Sequence, residues 1–178
     1  MPLTTYTAGE VLTAASLNAN FTFAAANGKI AQIVSTNLPT TFSSSATAYT
    51  DITGLSVSIT PTLATSKILI ICSFNAVLSG DISGHYRLMR DSTAINVGTA
   101  AGSRTQSSSS HYISTSQYLV STFTWNFLDS PATTSATTYK VQGFVNTGTF
   151  YINRGVPDAN TADNDRTASN ITVMEVLV

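Results

Sequence analysis

The sequence predicts an all-β sandwich, and three observations predict it. The stretch from Ser116 to Asp129, SQYLVSTFTWNFLD, alternates with period two along its whole length. About ten such runs follow one another, with a turn signal after nearly every one. About three residues in ten are Ser or Thr, which suits strands and turns better than helices. In the long stretch Leu119, Phe123, Trp125 and Phe127 share one face, broken by Ser121, while Tyr118, Val120, Thr122, Thr124 and Asn126 share the other. A helix would smear those aromatics around its circumference, so the stretch reads as a half-buried strand in the centre of a sheet.

A chain of 178 residues holds one domain with a proper core and a short appendage. Eight Lys+Arg against nine Asp+Glu leave a net charge of -1, with 10% charged residues. That balance offers no footprint for nucleic acid and none for an anionic membrane surface. The single Cys72 excludes an intramolecular disulfide. No apolar run reaches the ~20 residues of a membrane span, so membrane insertion is not expected. The start of the chain shows no signal-peptide pattern, which implies a protein that stays inside a cell or leaves it by a route other than secretion.

The division falls near residue 29. Residues 1–29 form an arm and a short helix: Thr7 with Glu10 fits a capping box, Thr13 is a second N-cap for a helix starting at Ala14, and Leu17, Phe21 and Ala24 make a thin apolar stripe. A helix of about a dozen residues with so thin a stripe needs a surface to pack on. Residues 30–178 carry the strands. IAQIVST comes first, then a loop over NLPTTFSSS, then ATAYTDI and LSVSITP. In KILIICSFNAVLS, Ile68, Ile70, Cys72, Phe74, Ala76 and Leu78 line one face, and Leu69, Ile71 and Val77 share the other with Ser73 and Asn75. Its first half is apolar on both faces, as in a covered strand. HYRLMRD and TAINVGT pair through Asp91-Ser92, HYIS makes a short return, and TYKVQGFVN with TFYINRG reads as a hairpin. The last strand, NITVMEVLV, is apolar on both faces apart from Thr172 and Glu175, so one face meets another subunit.

The strand order, the long strand KILIICSFNAVLS and the closing ITVMEVLV resemble the jelly-roll domains of the tumour necrosis factor and complement C1q superfamily, which assemble as trimers. YRLMRDSTAINVG, TWNFLDSPATTSATTYKV and TFYINR with RTASNITVMEV are similar to knob domains of structural proteins of tailed phages, especially those of cyanobacteria. TAGEVLTAASLNANF is similar to an attachment segment at the start of phage tail-fibre proteins. The resemblance implies a virion location and a C1q/TNF-like jelly-roll knob over 30–178. Residues 1–29 would dock on other virion proteins through Glu10, Val11, Leu12, Leu17 and Phe21. The knob would form a homotrimer and contact a host-surface glycan. A capsid decoration or head-fibre protein without a receptor role, and a free C1q-like glycan-binding module, are the alternatives. Interface cores favour aromatics and Met, which selects Tyr86, Met89, Tyr118, Tyr139 and Tyr151, and the two apolar faces of the last strand add Met174 and Val176.

Enzymatic chemistry is not expected. No nucleophile elbow accompanies the many serines, and His85 and His111 stand apart as turn or interface residues. No cofactor is expected. Asp158, Asn160, Asp163 and Asp165 form the one cluster of oxygen ligands, without the glycine and terminal Glu of a calcium loop, and read as a solvated turn. Arg87, Arg90, Arg104, Arg154 and Arg166 could gather on a surface for acidic saccharides; pairing with Asp51, Asp81, Asp91 or Glu175 is the preferred reading.

Overall fold

The computed structural model describes residues 5, 7–11, 13–18, 20, 30–113 and 120–178. Among them lie eleven strands: β1 (Ile30–Leu38), β2 (Phe42–Ser44), β3 (Thr50–Ile59), β4 (Lys67–Leu78), β5 (Ile82–Arg90), β6 (Thr93–Ile95), β7 (Ser109–Ile113), β8 (Ser121–Asp129), β9 (Thr137–Val145), β10 (Phe150–Ile152) and β11 (Ser169–Val176). They form two antiparallel sheets. In the first, β4 is central, with β8 along one side and β11 and β10 on the other, followed outward by β1 and β2. In the second, β9 lies between β3 and β5, and the far side of β5 takes β7 and then β6. The two packed sheets make a β-sandwich.

β4 divides its two faces as its alternation dictates. Ile68, Ile70, Cys72, Phe74, Ala76 and Leu78 are fully buried against Leu55, Val57 and Ile59 of β3, Tyr86 and Leu88 of β5, and Val141 and Val145 of β9. Each such aliphatic side chain contributes roughly 1.5–3 kcal/mol on burial. One half of the core is aromatic: Phe74 meets Tyr86, Phe123 and Trp125 with ring centroids 5.0–5.2 Å apart. Burial pushes the Cys72 thiol up to about 12, so this sulfur is a packing group with little thiolate character.

Several sequence expectations change here. The stretch around Trp125 does point Phe123, Trp125 and Phe127 inward, but β8 pairs only with β4 among the described residues and is an edge strand. Alternation reports one buried face and is silent about how many neighbours share the ladder. TYKVQGFVN and TFYINRG form no hairpin: β9 belongs to the second sheet, and β10 pairs with β4 and β2 in the first. The loop read over residues 37–45 contains β2, whose Phe42 ring packs on Phe150 at 5.9 Å. ATAYTDI and LSVSITP are one strand, β3, whose register shifts between Asp51 and Ser56. Gly54 sits in that irregularity at φ +86, and a Cβ there would stand 2.8 Å from Leu38 Cδ1, so a side chain would meet both strain and a clash.

Polar pins bind the sheets at their margins. Arg90 Nη1 donates to both carboxylate oxygens of Asp129 at 2.9 and 3.0 Å, and the Tyr139 hydroxyl donates to Asp129 Oδ2 at 2.7 Å, joining β8 to β5 and β9. Trp125 Nε1 donates to Ser109 Oγ at 2.8 Å. Glu175, 0% exposed, accepts from Gln32 Nε2 and from the Thr62 N–H and hydroxyl at 2.7–2.8 Å, tying the β3–β4 loop to β11 and β1. Burial raises the Glu175 pKa; these donors, with the Ser66 hydroxyl beside them, outweigh that and bring it down to about 2. Glu175 is therefore an interior latch, held by neutral donors in place of the arginine expected.

Candidate functional site

The molecule presents two outer sheet faces of different chemistry. On the first sheet, register sets Ile33 of β1, Met174 of β11, Leu69 of β4 and Leu128 of β8 in one row across four strands. Ile33 is 60% and Leu128 48% exposed. Towards one end the face continues through Ile30, Val176 and the half-buried Lys67, one cation at the edge of the apolar surface, with exposed Leu63 in the β3–β4 loop and Val178 beyond β11. Towards the other it turns polar: Ser35, Thr172, Ile71 and Asn126 form the next row, then Asn37, Asn170, Ser73 and Thr124. Ser35 and Thr172 share a 2.8 Å hydrogen bond, and Thr122 donates to Asn75 Oδ1 at 2.7 Å. The face is thus graded from apolar to hydroxylated, and the chain enters the sandwich at Ile30, at the apolar end.

The second sheet's outer face is stitched by side chains. Arg87 of β5 donates through Nε and Nη2 to Gln142 Oε1 of β9 at 2.9 and 2.8 Å, and its guanidinium lies 3.9 Å from the centre of the Tyr49 ring. Gln142 Nε2 donates to Asp51 Oδ1, and Lys140 Nζ to Asp51 Oδ2, both at 2.7 Å. Burial raises the Asp51 pKa, and the Lys140 and Gln142 donors outweigh it, leaving the carboxyl below its ordinary value. His85 stacks on Phe144 at 4.8 Å, with Tyr49 edge-on to Phe144 at 4.7 Å. A depression of about 590 Å³ runs beside this network, lined by Arg87, Met89, Asp91, Ser92, Thr138, Lys140 and Gln142.

The expected interface residues separate. Met174 and Val176 point outward, half-buried, on the first sheet. Tyr151 is half-buried, with the Arg154 guanidinium over its ring at 4.2 Å. Tyr139 is corrected: it is 0% exposed, its ring in the core and its hydroxyl on Asp129, so it cannot meet another subunit. Tyr86 is likewise fully buried, and Met89 is covered by its own chain. A tyrosine suits core and interface alike, so residue type alone does not choose between them. Tyr118 lies outside the described residues. The sequence pattern does not single out Ile33, Leu69 or Leu128 as interface residues. The alternation of β4 already put Leu69 on the face opposite the core, and only register joins it to the other two.

In the leading segment, Thr13 Oγ1 accepts the Ser16 N–H at 3.2 Å and Thr13 O accepts the Leu17 N–H at 3.0 Å, making Thr13 the N-cap of a helical turn that starts at Ala14. Thr7 and Glu10 close a separate turn, with the Thr7 N–H on Glu10 Oε2 at 3.1 Å. Glu10, Val11 and Leu17 are exposed; Leu12 and Phe21 lie outside the described residues.

The remaining candidates are claimed by structural partners. Asp158 receives Arg154 at 3.0 Å and Arg166, which holds its carboxyl below the ordinary range. Arg90 and the Arg154/Arg166 pair thus find acids, but Asp129 and Asp158 in place of those expected. Among the described residues no three His, Cys, Asp or Glu are placed to hold a metal ion. His85 and His111 stand in β5 and β7, not in turns. His111 faces inward, stacked on Tyr86 at 5.7 Å and against Phe123 at 5.2 Å, with neither ring nitrogen bonded. Burial, with a smaller push from His85, lowers its pKa to about 4.

No protein-family model matches the chain, and no curated protein matches it. Among solved structures, a chain in the structure of infectious bursal disease virus Gx strain aligns with 83% of this chain at 12% identity and a TM-score of 0.37. The match takes in 40% of that chain's length. At that score and identity the likeness does not bear on function.

Proposed function

We propose that the chain is a non-enzymatic virion structural protein. Residues 30–178 form a jelly-roll knob that trimerises through the outer face of its first sheet, and the segment before it docks on the particle. The carrying observation is the row Ile33, Met174, Leu69 and Leu128, which is apolar, crosses four strands and faces outward. Monomeric proteins seldom leave such a contiguous patch in water. The jelly-roll reading is supported by the path of the chain, which changes sheet from β2 to β3, β3 to β4, β4 to β5, β7 to β8, β8 to β9 and β9 to β10. The choice of three subunits follows the resemblance to the tumour necrosis factor and C1q domains.

In this arrangement the networked face of the second sheet is turned outward and is free to meet a host surface. Ile30 lies at the apolar end of the first sheet, so the docking segment leaves from the base of the assembly. The test is a deletion of residues 1–27, the residues before Gly28. The expected product is a folded, trimeric knob that no longer incorporates into particles; a truncated chain that still incorporates contradicts the docking role. Copy number per particle separates a fibre, present in few copies, from a shell decoration, present in many.

A further inference from the structure

We propose that the outer face of the second sheet binds an acidic saccharide, its carboxylate held by Arg87; this rests on the reading above that the face is turned outward. Of the arginines, Arg90 is held by Asp129, Arg154 and Arg166 by Asp158, and Arg104 by the Ala101 carbonyl of its own loop. Arg87 is the half-buried guanidinium, among the described residues, with no carboxylate on it. Gln142 Oε1 and the Tyr49 ring fix its plane. The nearby acid, Asp51, gives one oxygen to Lys140 and the other to the Gln142 amide. A guanidinium oriented by neutral partners keeps its charge and a donor edge for a carboxylate, with the ordering cost already met in folding.

The depression gives that cation a site. It runs along β5 and β9 from Arg87 and Gln142, past Met89 and Lys140, to Asp91, Ser92 and Thr138. Four residues of strand separate Arg87 from Asp91, roughly 13 Å, about the length of two sugar rings. Met89, 3% exposed, gives an apolar floor between polar walls. At the far end Asp91 Oδ1 takes the Thr138 N–H at 2.8 Å, leaving its other oxygen and the Ser92 hydroxyl for ligand hydroxyls. A carboxylate at that end would be repelled by Asp91. The arrangement therefore fits one carboxylated sugar joined to a neutral one, and disfavours a polyanion such as an acidic peptide.

The test titrates the full chain, by calorimetry and by amide chemical shifts, with a glucuronic-acid-containing disaccharide, the matching glucose disaccharide and a tetraglutamate peptide. The acidic disaccharide is expected to bind at least tenfold more tightly than either of the others. Arg87→Gln should erase that preference, Arg87→Lys should weaken it several-fold, and Arg104→Gln should leave it unchanged, all with unaltered melting curves. Equal binding of the neutral disaccharide, equal or tighter binding of the peptide, full retention in Arg87→Gln, or no binding of any probe overturns the site. A trimer found on particles that ignores the acidic disaccharide removes this site and leaves the proposed role standing. A monomer absent from particles that binds it does the reverse.

Discussion

The outer faces of the two sheets begin from the same alternation and end in different chemistry. On the first, the residues opposite the core are Ile33, Met174, Leu69 and Leu128 at one end and hydroxyls and amides at the other. On the second, the corresponding positions hold Arg87, Gln142, Lys140 and Asp51 in one hydrogen-bonded chain. Water suits the second face, whose charges and amides remain partly solvated. The first gains by leaving water at its apolar end, since each Å² of apolar surface covered contributes roughly 25 cal/mol. The proposed function gives the two faces of one sandwich two uses, one for other protein and one for solvent and ligand.

The comparison holds only while the sheets stay in register, so the largest expected effect comes from the pin between them. Asp129→Ala strands the Arg90 guanidinium and the Tyr139 hydroxyl, and should cost on the order of 3–4 kcal/mol in urea unfolding. A loss below 1 kcal/mol would mean that the pin is dispensable. Next, Leu69→Asp puts a charge in the middle of the apolar row. It should weaken self-association by about 2–3 kcal/mol, roughly 30- to 160-fold in dissociation constant, with a folded monomer left behind. Lys140→Asp on the opposite face should leave association unchanged. Similar losses from both would erase the distinction between the faces.

The smallest effect concerns pH. His111 titrates near 4 in the folded chain against 6.5 when unfolded, and Glu175 near 2 against 4.5. In both windows the unfolded chain binds more protons, so stability rises with pH from about 2 to 6.5. His111→Phe keeps an aromatic ring against Tyr86 and Phe123. It should lessen the rise of the urea midpoint between pH 4 and 6.5, leaving the part due to His85, whose pKa burial also lowers, and the decline below 4.5. An unchanged slope in the upper window would remove His111 from the account.

Much of the framework is legible in the residues. The two faces of β4, the inward set of β8, the Asp91-Ser92 turn and the Thr13 cap all follow from local pattern, because side-chain direction and turn chemistry are set within a few residues. What sits alongside each strand is not local. β8 becomes an edge, β10 joins β4 instead of β9, and Tyr139 turns inward because of partners far away in sequence. The surfaces share that limit: Leu69 and Leu128 meet in a row, and Arg87 is left without an acid, only once register brings distant strands together.

Sedimentation equilibrium of the full chain at micromolar concentration tests the central claim most directly, that the apolar end of the first sheet is covered by other copies. The 18.7 kDa chain should sediment as a species of about 56 kDa, three copies, and Leu69→Asp should return it to the monomer mass. A wild-type chain that sediments at 18.7 kDa, with its strands intact by circular dichroism, would contradict it.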